Sequence, residues 1–298
     1  MTIKHLVISG GGQTMVQSLG SIQYLEQNKF IDLNTIETIY GTSAGAIIAV
    51  IVGLKYDWET VNDYFIKRPW HKLFNIKAQH IFDAYSKKGV YDIDILEKFY
   101  KPLFEAKNIP IEITMKEFYE YSKIEIHIFV FELNSFESVE ITYKTHPDLQ
   151  LIKAIFMSCS LPILVTPTFI ENKCYIDGGI VCNYPLNVCI ESQKNVDEIV
   201  GFKNYYSEDT TNYIDSNCSL FEFAVGFIFK IIRNLHTDNK QTKIKNEVIC
   251  KSDHVSISVL KDAISSIEAR QKLLQIGIDS AKQFLDNMNA KIVVTENI

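Results

Sequence analysis

The sequence is poor in the residues that mark several protein classes. It has 7 Pro and 13 Gly in 298 residues, which excludes collagen-like, linker-like and low-complexity chains. Its 6 Cys lie at 159, 174, 182, 189, 218 and 250, with no C-x-x-C pair and none before residue 159. That pattern fits neither a zinc site nor a dense disulfide scaffold, and predicts reduced thiols. The histidines are equally scattered, so no metal and no cofactor are expected. Positive charge is also short. A net charge of −6 argues against a nucleic-acid partner and against broad attraction to anionic membranes. No apolar run is long and charge-free enough to span a bilayer. The opening "MTIKHLVISGGG" enters a strand-like run without the features of a signal peptide, which predicts cytoplasmic residence and leaves peripheral membrane contact open. What is present is 47% hydrophobic residues, enough for a sizeable core.

The order of apolar patterns predicts the fold class. "KHLVIS" reads as a buried strand, followed by a helix pattern through Met15, Leu19, Ile22 and Leu25. "TIETIY" is a second strand, and "SAGAIIAVIVGL" a second helix with small residues at its start. Strand alternating with helix predicts an α/β protein with a mainly parallel central sheet flanked by helices. Residues 57–122 read as largely helical. "KIEIHIFVFELNSFESVEITYKT" reads as a hairpin or a pair of strands, "VDEIVGF" as a further strand, and residues 261–287 as a long amphipathic helix. No repeat or linker divides the chain, so a single domain over 1–298 is expected. "SLFEFAVGFIFKIIRNL" is apolar nearly all round, which favours a core helix over an interfacial one.

Three glycine-bearing turns carry the chemistry. Gly41-Thr42-Ser43-Ala44-Gly45 fits G-x-S-x-G between a strand and a helix. Such a turn holds a serine in strained backbone at a helix N-terminus, where amide dipoles favour developing negative charge. Gly10-Gly11-Gly12 follows the first strand. It fails the dinucleotide fingerprint because Met15 stands where the last glycine belongs, and no G-K-[ST] follows for a phosphate loop. Its backbone N–H groups suit an oxyanion hole beside Ser43. Asp177-Gly178-Gly179 ends another strand pattern. A carboxylate there could take the serine proton directly, provided burial raises its basicity. A Ser-His-Asp arrangement would instead need His236 or His254, both in polar surroundings in the sequence.

The set SGGG at 9–12, GTSAG at 41–45 and DGG at 177–179, in that order, resembles the patatin-like phospholipases. The resemblance extends through "SCSLPILVTPTFIENKCYIDGGIVCNYPL" and the closing helix, and least through residues 57–144. It implies a patatin-like three-layer sandwich whose core motifs span about residues 3–190. It also implies a metal-independent lipid acyl hydrolase working through a Ser–Asp dyad and an acyl-enzyme. Ser43 would be the nucleophile and Asp177 the general base. Gly10, Gly11 and Gly12 would form the oxyanion hole, with Ala44 as a further donor. Gly41, Gly45, Gly178 and Gly179 would support the turns. The implied partner is a phospholipid or other acyl lipid, met by transient contact with a membrane surface. The chain departs from the family at Thr14 and Met15, where a cation and then a glycine are usual, and at Val165 and Thr166, where Phe and Pro are common. A lipid-binding protein that has lost catalysis is the alternative those departures leave open.

Overall fold

Every residue of the first strand, His5–Ile8 (β1), is buried, as a strand covered on both faces must be. The computed structural model describes residues 2–75, 78–193, 195–206, 214, 216–237, 242–252 and 257–296. The later strands are Thr38–Thr42 (β2), Gly89–Tyr91 (β3), Glu125–Glu132 (β4), Glu137–Ile141 (β5), Ile163–Val165 (β6), Thr168–Ile170 (β7), Lys173–Asp177 (β8), Ile199–Tyr206 (β9) and Glu247–Ser252 (β10). Strands β10, β9, β1, β2 and β4 pair in that order, all in parallel. β5 and β8 add to β4 antiparallel, and β7 to β8. β3 and β6 form a separate parallel pair. The expected α/β architecture with a mainly parallel sheet is what forms, and the first four residues of "LNSFES", Leu133 to Phe136, are the turn of the β4–β5 hairpin.

The register along β4 positions the site. β5 pairs with β4 from Ile128 to Glu132, filling one edge. β2 and β8 must therefore share the other edge. β2 climbs it until Thr42 faces Phe129, and β8 descends it until Asp177 faces Val130. Their C-terminal ends meet at consecutive positions of one strand. Gly178 makes this meeting possible, because a Cβ there would run into the Phe129 carbonyl.

Helices cover both faces. On one face Leu19, Ile22 and Leu25 of helix Met15–Gln27 pack with the helix Ala44–Gly53 and with Ala281 and Phe284 of the closing helix Ile267–Glu296. The other face carries a smaller cluster of Val7, Tyr40, Phe129, Tyr184, Leu186, Cys189 and Ile199, beneath helix Leu186–Gln193. The middle of the chain is helical as expected, with Trp58–Lys67, Asp94–Glu105 and Met115–Ser122 among its helices. The last starts at a reciprocal cap: Thr114 Oγ1 accepts from the Glu117 N–H, and the Glu117 carboxylate accepts from the Thr114 N–H. The helix Leu220–Thr237 departs from expectation. Val225 is buried, whereas Leu220, Phe223, Phe227 and Ile231 are exposed. One apolar side of this helix faces inward and an opposite apolar side faces out, which the sequence presents as a helix apolar all round.

Candidate active site

Ser43 sits between β2 and helix Ala44–Gly53 at φ 52° and ψ −119°. A non-glycine residue in that region costs about 1–3 kcal/mol and persists only where its surroundings impose it. Those surroundings are visible. The Ser43 N–H donates to Ser158 Oγ at 2.8 Å, and Ser158 Oγ donates in turn to the Phe129 carbonyl at 2.6 Å. The Ser43 carbonyl accepts the Ala46 and Ile47 N–H groups. Thr42 Oγ1 donates to the Cys182 carbonyl at 2.7 Å, tying the elbow to the loop after β8. Gly45 lies directly against the Ile8 carbonyl of β1, so a side chain there has no room.

Asp177 meets the elbow at the β4 edge. Ser43 Oγ donates to Asp177 Oδ2 at 2.7 Å, and the Gly179 N–H donates to Oδ1 at 2.7 Å. The carboxyl is 5% exposed. Burial pushes its pKa up to about 6, and the hydrogen bonds from Ser43 and Gly179 oppose that rise. Cys159 lines the same cavity, but burial and the nearby Asp177 charge push its thiol well above the ordinary range, so it stays neutral.

The glycine loop needs one correction. Gly10 was expected to offer its N–H to an oxyanion, yet that N–H donates to the Asn183 carbonyl at 2.9 Å. Gly10 is thus a tether between the glycine loop and the loop after β8. Among the described residues, the N–H groups of Gly11, Gly12 and Ala44 have no acceptor within the chain. These three line the cavity that holds Ser43 and Asp177. Its volume is about 1380 Å³, and Met15, Ile47, Phe65, Trp70, Phe99 and Phe156 supply much of its apolar wall. Asn183, Lys203 and Asn204 contribute polar wall.

No histidine is among the described residues that line this cavity. His236 belongs to helix Leu220–Thr237, and His254 lies outside the described residues. His5 and His127 are committed to Thr38 and Glu140. Among the described residues no three His, Cys, Asp or Glu side chains are grouped to hold a metal ion. The sequence reading missed Ser158, Asn183 and Asn204. Ser158 and Asn183 fall inside the segment that carries the family resemblance, but nothing local marks them as braces of the serine and the glycines. Asn204 has no local signal at all.

The family model for patatin-like phospholipases matches residues 6–190, which include Ser43, Asp177 and all three glycine turns. The chain belongs to this family. It is 27% identical over 212 residues to "Probable lipid hydrolase 463L" of Invertebrate iridescent virus 6, covering 68% of this chain and 71% of that protein. It is 26% identical over 290 residues to "Uncharacterized protein R571" of Acanthamoeba polyphaga mimivirus, covering 94% of this chain and 93% of that one. Among solved structures, VipD from Legionella pneumophila superposes with a TM-score of 0.59 at 18% identity, covering 96% of this chain and 67% of VipD. That likeness is one of fold. Within this patatin-like chain Thr14, two residues after the third glycine, is 1% exposed.

Proposed function

We propose that the chain is a lipid acyl hydrolase that cleaves carboxylic esters of phospholipids or other acyl lipids through a Ser43–Asp177 dyad. The observation that carries this reading is the 2.7 Å hydrogen bond from Ser43 Oγ to a buried carboxylate at an apolar cavity. Family membership and the viral relative named as a probable lipid hydrolase support the substrate class.

In the first step Ser43 Oγ bonds to the acyl carbonyl carbon while Asp177 takes the hydroxyl proton. The carbonyl oxygen becomes an oxyanion, for which the Gly11, Gly12 and Ala44 N–H groups are the available donors. Asp177 then gives the proton to the leaving alkoxide, and the C–O bond breaks to leave an acyl-Ser43 ester. Water attacks that ester with Asp177 again as base. The proton returns to Ser43 Oγ as the fatty acid leaves. Neither half-reaction calls for a histidine or a metal. The apolar cavity holds the acyl chain, and transient contact with a lipid surface supplies the substrate.

The test is fatty-acid release from phosphatidylcholine vesicles with a chelator present. Ser43→Ala and Asp177→Asn are expected to lose about a thousandfold or more of the rate, whereas His236→Ala and His254→Ala keep it. An inactive wild type, or an Asp177→Asn variant with full activity, would sink the proposal.

A further inference from the structure

Two carbonyls of the glycine loop, those of Gly10 and Gly11, are held by side-chain hydrogen bonds. Asn204, on β9, donates through Nδ2 to the Gly10 carbonyl at 3.1 Å and to Thr14 Oγ1 at 2.7 Å. Thr14 Oγ1 donates onward to the Gly11 carbonyl at 2.9 Å. The hydroxyl has one proton, so its bond to Gly11 leaves a lone pair for Asn204. This fixes which end of the amide faces the loop. The Asn204 backbone N–H also donates to Ser9 Oγ at 3.1 Å, just before the glycines.

A peptide unit is planar and trans, so its C=O and N–H point in opposite directions. The Gly10 carbonyl shares a peptide unit with the Gly11 N–H, and the Gly11 carbonyl shares one with the Gly12 N–H. The Thr14 N–H and Asn183 Nδ2 also donate to the Gly11 and Gly10 carbonyls, at 3.2 and 3.4 Å. The Asn204–Thr14 bonds complete the hold that fixes the aim of the two loop N–H groups, which have no acceptor among the described residues. Asn204 itself is kept at a cost, because its Oδ1 is buried without a partner among the described residues. A residue selected only to fill space there would not need to leave an amide oxygen unsatisfied.

The geometry points to Asn204, acting through Thr14, as the positioning residue of the oxyanion hole, a neutral clamp on the glycine loop. This rests on the ester-hydrolase reading. Asn204 and Thr14 touch no reacting atom in this scheme. They pre-aim donors whose value lies in not having to reorganise as charge develops.

The experiment uses the full chain and a soluble short-chain ester, p-nitrophenyl butyrate, so that interfacial binding does not enter. Asn204→Ala, Thr14→Val and Thr14→Ser are compared for kcat, KM and inhibition by a trifluoromethyl ketone, whose serine adduct carries an oxyanion. Asn204→Ala and Thr14→Val are expected to lower kcat by about 10- to 100-fold with KM within about twofold, and to weaken the ketone in parallel. Thr14→Ser keeps the hydroxyl and should restore most of the rate. If Asn204→Ala does not fold, the near-isosteric Thr14→Val decides. An active wild type whose folded variants keep kcat within about twofold, or lose kcat while binding the ketone unchanged, overturns the clamp alone. A wild type inert to both ester and ketone overturns the hydrolase reading, and the clamp with it.

Discussion

In the proposed dyad Asp177 would have to be basic enough to take a serine proton, and an aspartate at its ordinary pKa is not. Burial supplies the difference by raising its pKa from 3.8 to about 6, while its two hydrogen bonds keep the rise from going further. Only the carboxylate can accept the proton, so kcat/KM should rise with pH through about 6 and level off above it. A profile flat from about pH 5 to pH 8 would contradict this. The same shift has a stability consequence of definite sign. Between pH 3.8 and about 6 the folded chain holds a proton that the unfolded chain releases, so stability falls as pH rises through that window and stays lower above it. Removing the charge should recover that loss. Asp177→Asn is expected to be inactive yet more stable than wild type at pH 8, by up to about 3 kcal/mol for a shift of roughly two units. The gain should vanish near pH 3, below both pKa values, where both states of the wild type are largely protonated. Thermal melts at the two pH values measure it, and an equal change at both would mean that the carboxylate's charge is not what burial penalises.

The elements that carry Ser43 and Asp177 were legible because each turn around them is local. G-x-S-x-G, Gly-Gly-Gly and Asp-Gly-Gly each declare a sharp reversal after an apolar run, and such reversals need glycine within a few residues. What joins the turns was not legible. Ser158 braces the Ser43 N–H across 115 positions of sequence, and Asn204 reaches Thr14 across 190. No periodicity encodes contacts at that range; the first follows from β2 and β8 ending head to head on β4, and the second from β9 lying beside β1. The Gly10 donor was misassigned for the same reason, since its acceptor, the Asn183 carbonyl, arrives from a distant loop. Gly45 shows how tightly the elbow is fitted. Ile8 is held in register by Gly41 on one side and Phe202 on the other, so its carbonyl cannot retreat from a new methyl group. Gly45→Ala should destabilise by about 2–4 kcal/mol through overpacking and lower Tm by roughly 5 °C or more. A Tm unchanged within about 1 °C would show that the elbow helix can slide along β1.

At the scale of the molecule, exposed apolar side chains gather toward the end of the sheet where Ser43 lies. Leu133 and Phe136 flank the β4–β5 turn at that end, and Leu220, Phe223, Phe227 and Ile231 form a stripe along helix Leu220–Thr237. The inward side of the same helix lines the cavity through Gly226 and Phe229, so the stripe borders the space where the acyl chain would bind. With a net charge of −6, the surface has no bulk electrostatic attraction for anionic lipid. Contact with a bilayer should therefore be apolar and should persist at high salt, because screening weakens only the charged part of an interaction. Phe223 and Phe227 are 48% and 53% exposed, which leaves about half of each ring to transfer into lipid. At roughly 1.5–3 kcal/mol for full burial of a Phe side chain, the two together are worth about 1.5–3 kcal/mol. The Phe223→Ser/Phe227→Ser variant should then partition to phosphatidylcholine vesicles about 10- to 150-fold more weakly. Its hydrolysis of a soluble short-chain ester should stay within about twofold, since neither ring lines the cavity. Vesicle sedimentation at low and high salt, run beside the ester assay, separates the outcomes. Unchanged partitioning would move the lipid contact to another face, and a matching loss on the soluble ester would mean that the helix shapes the cavity rather than the interface.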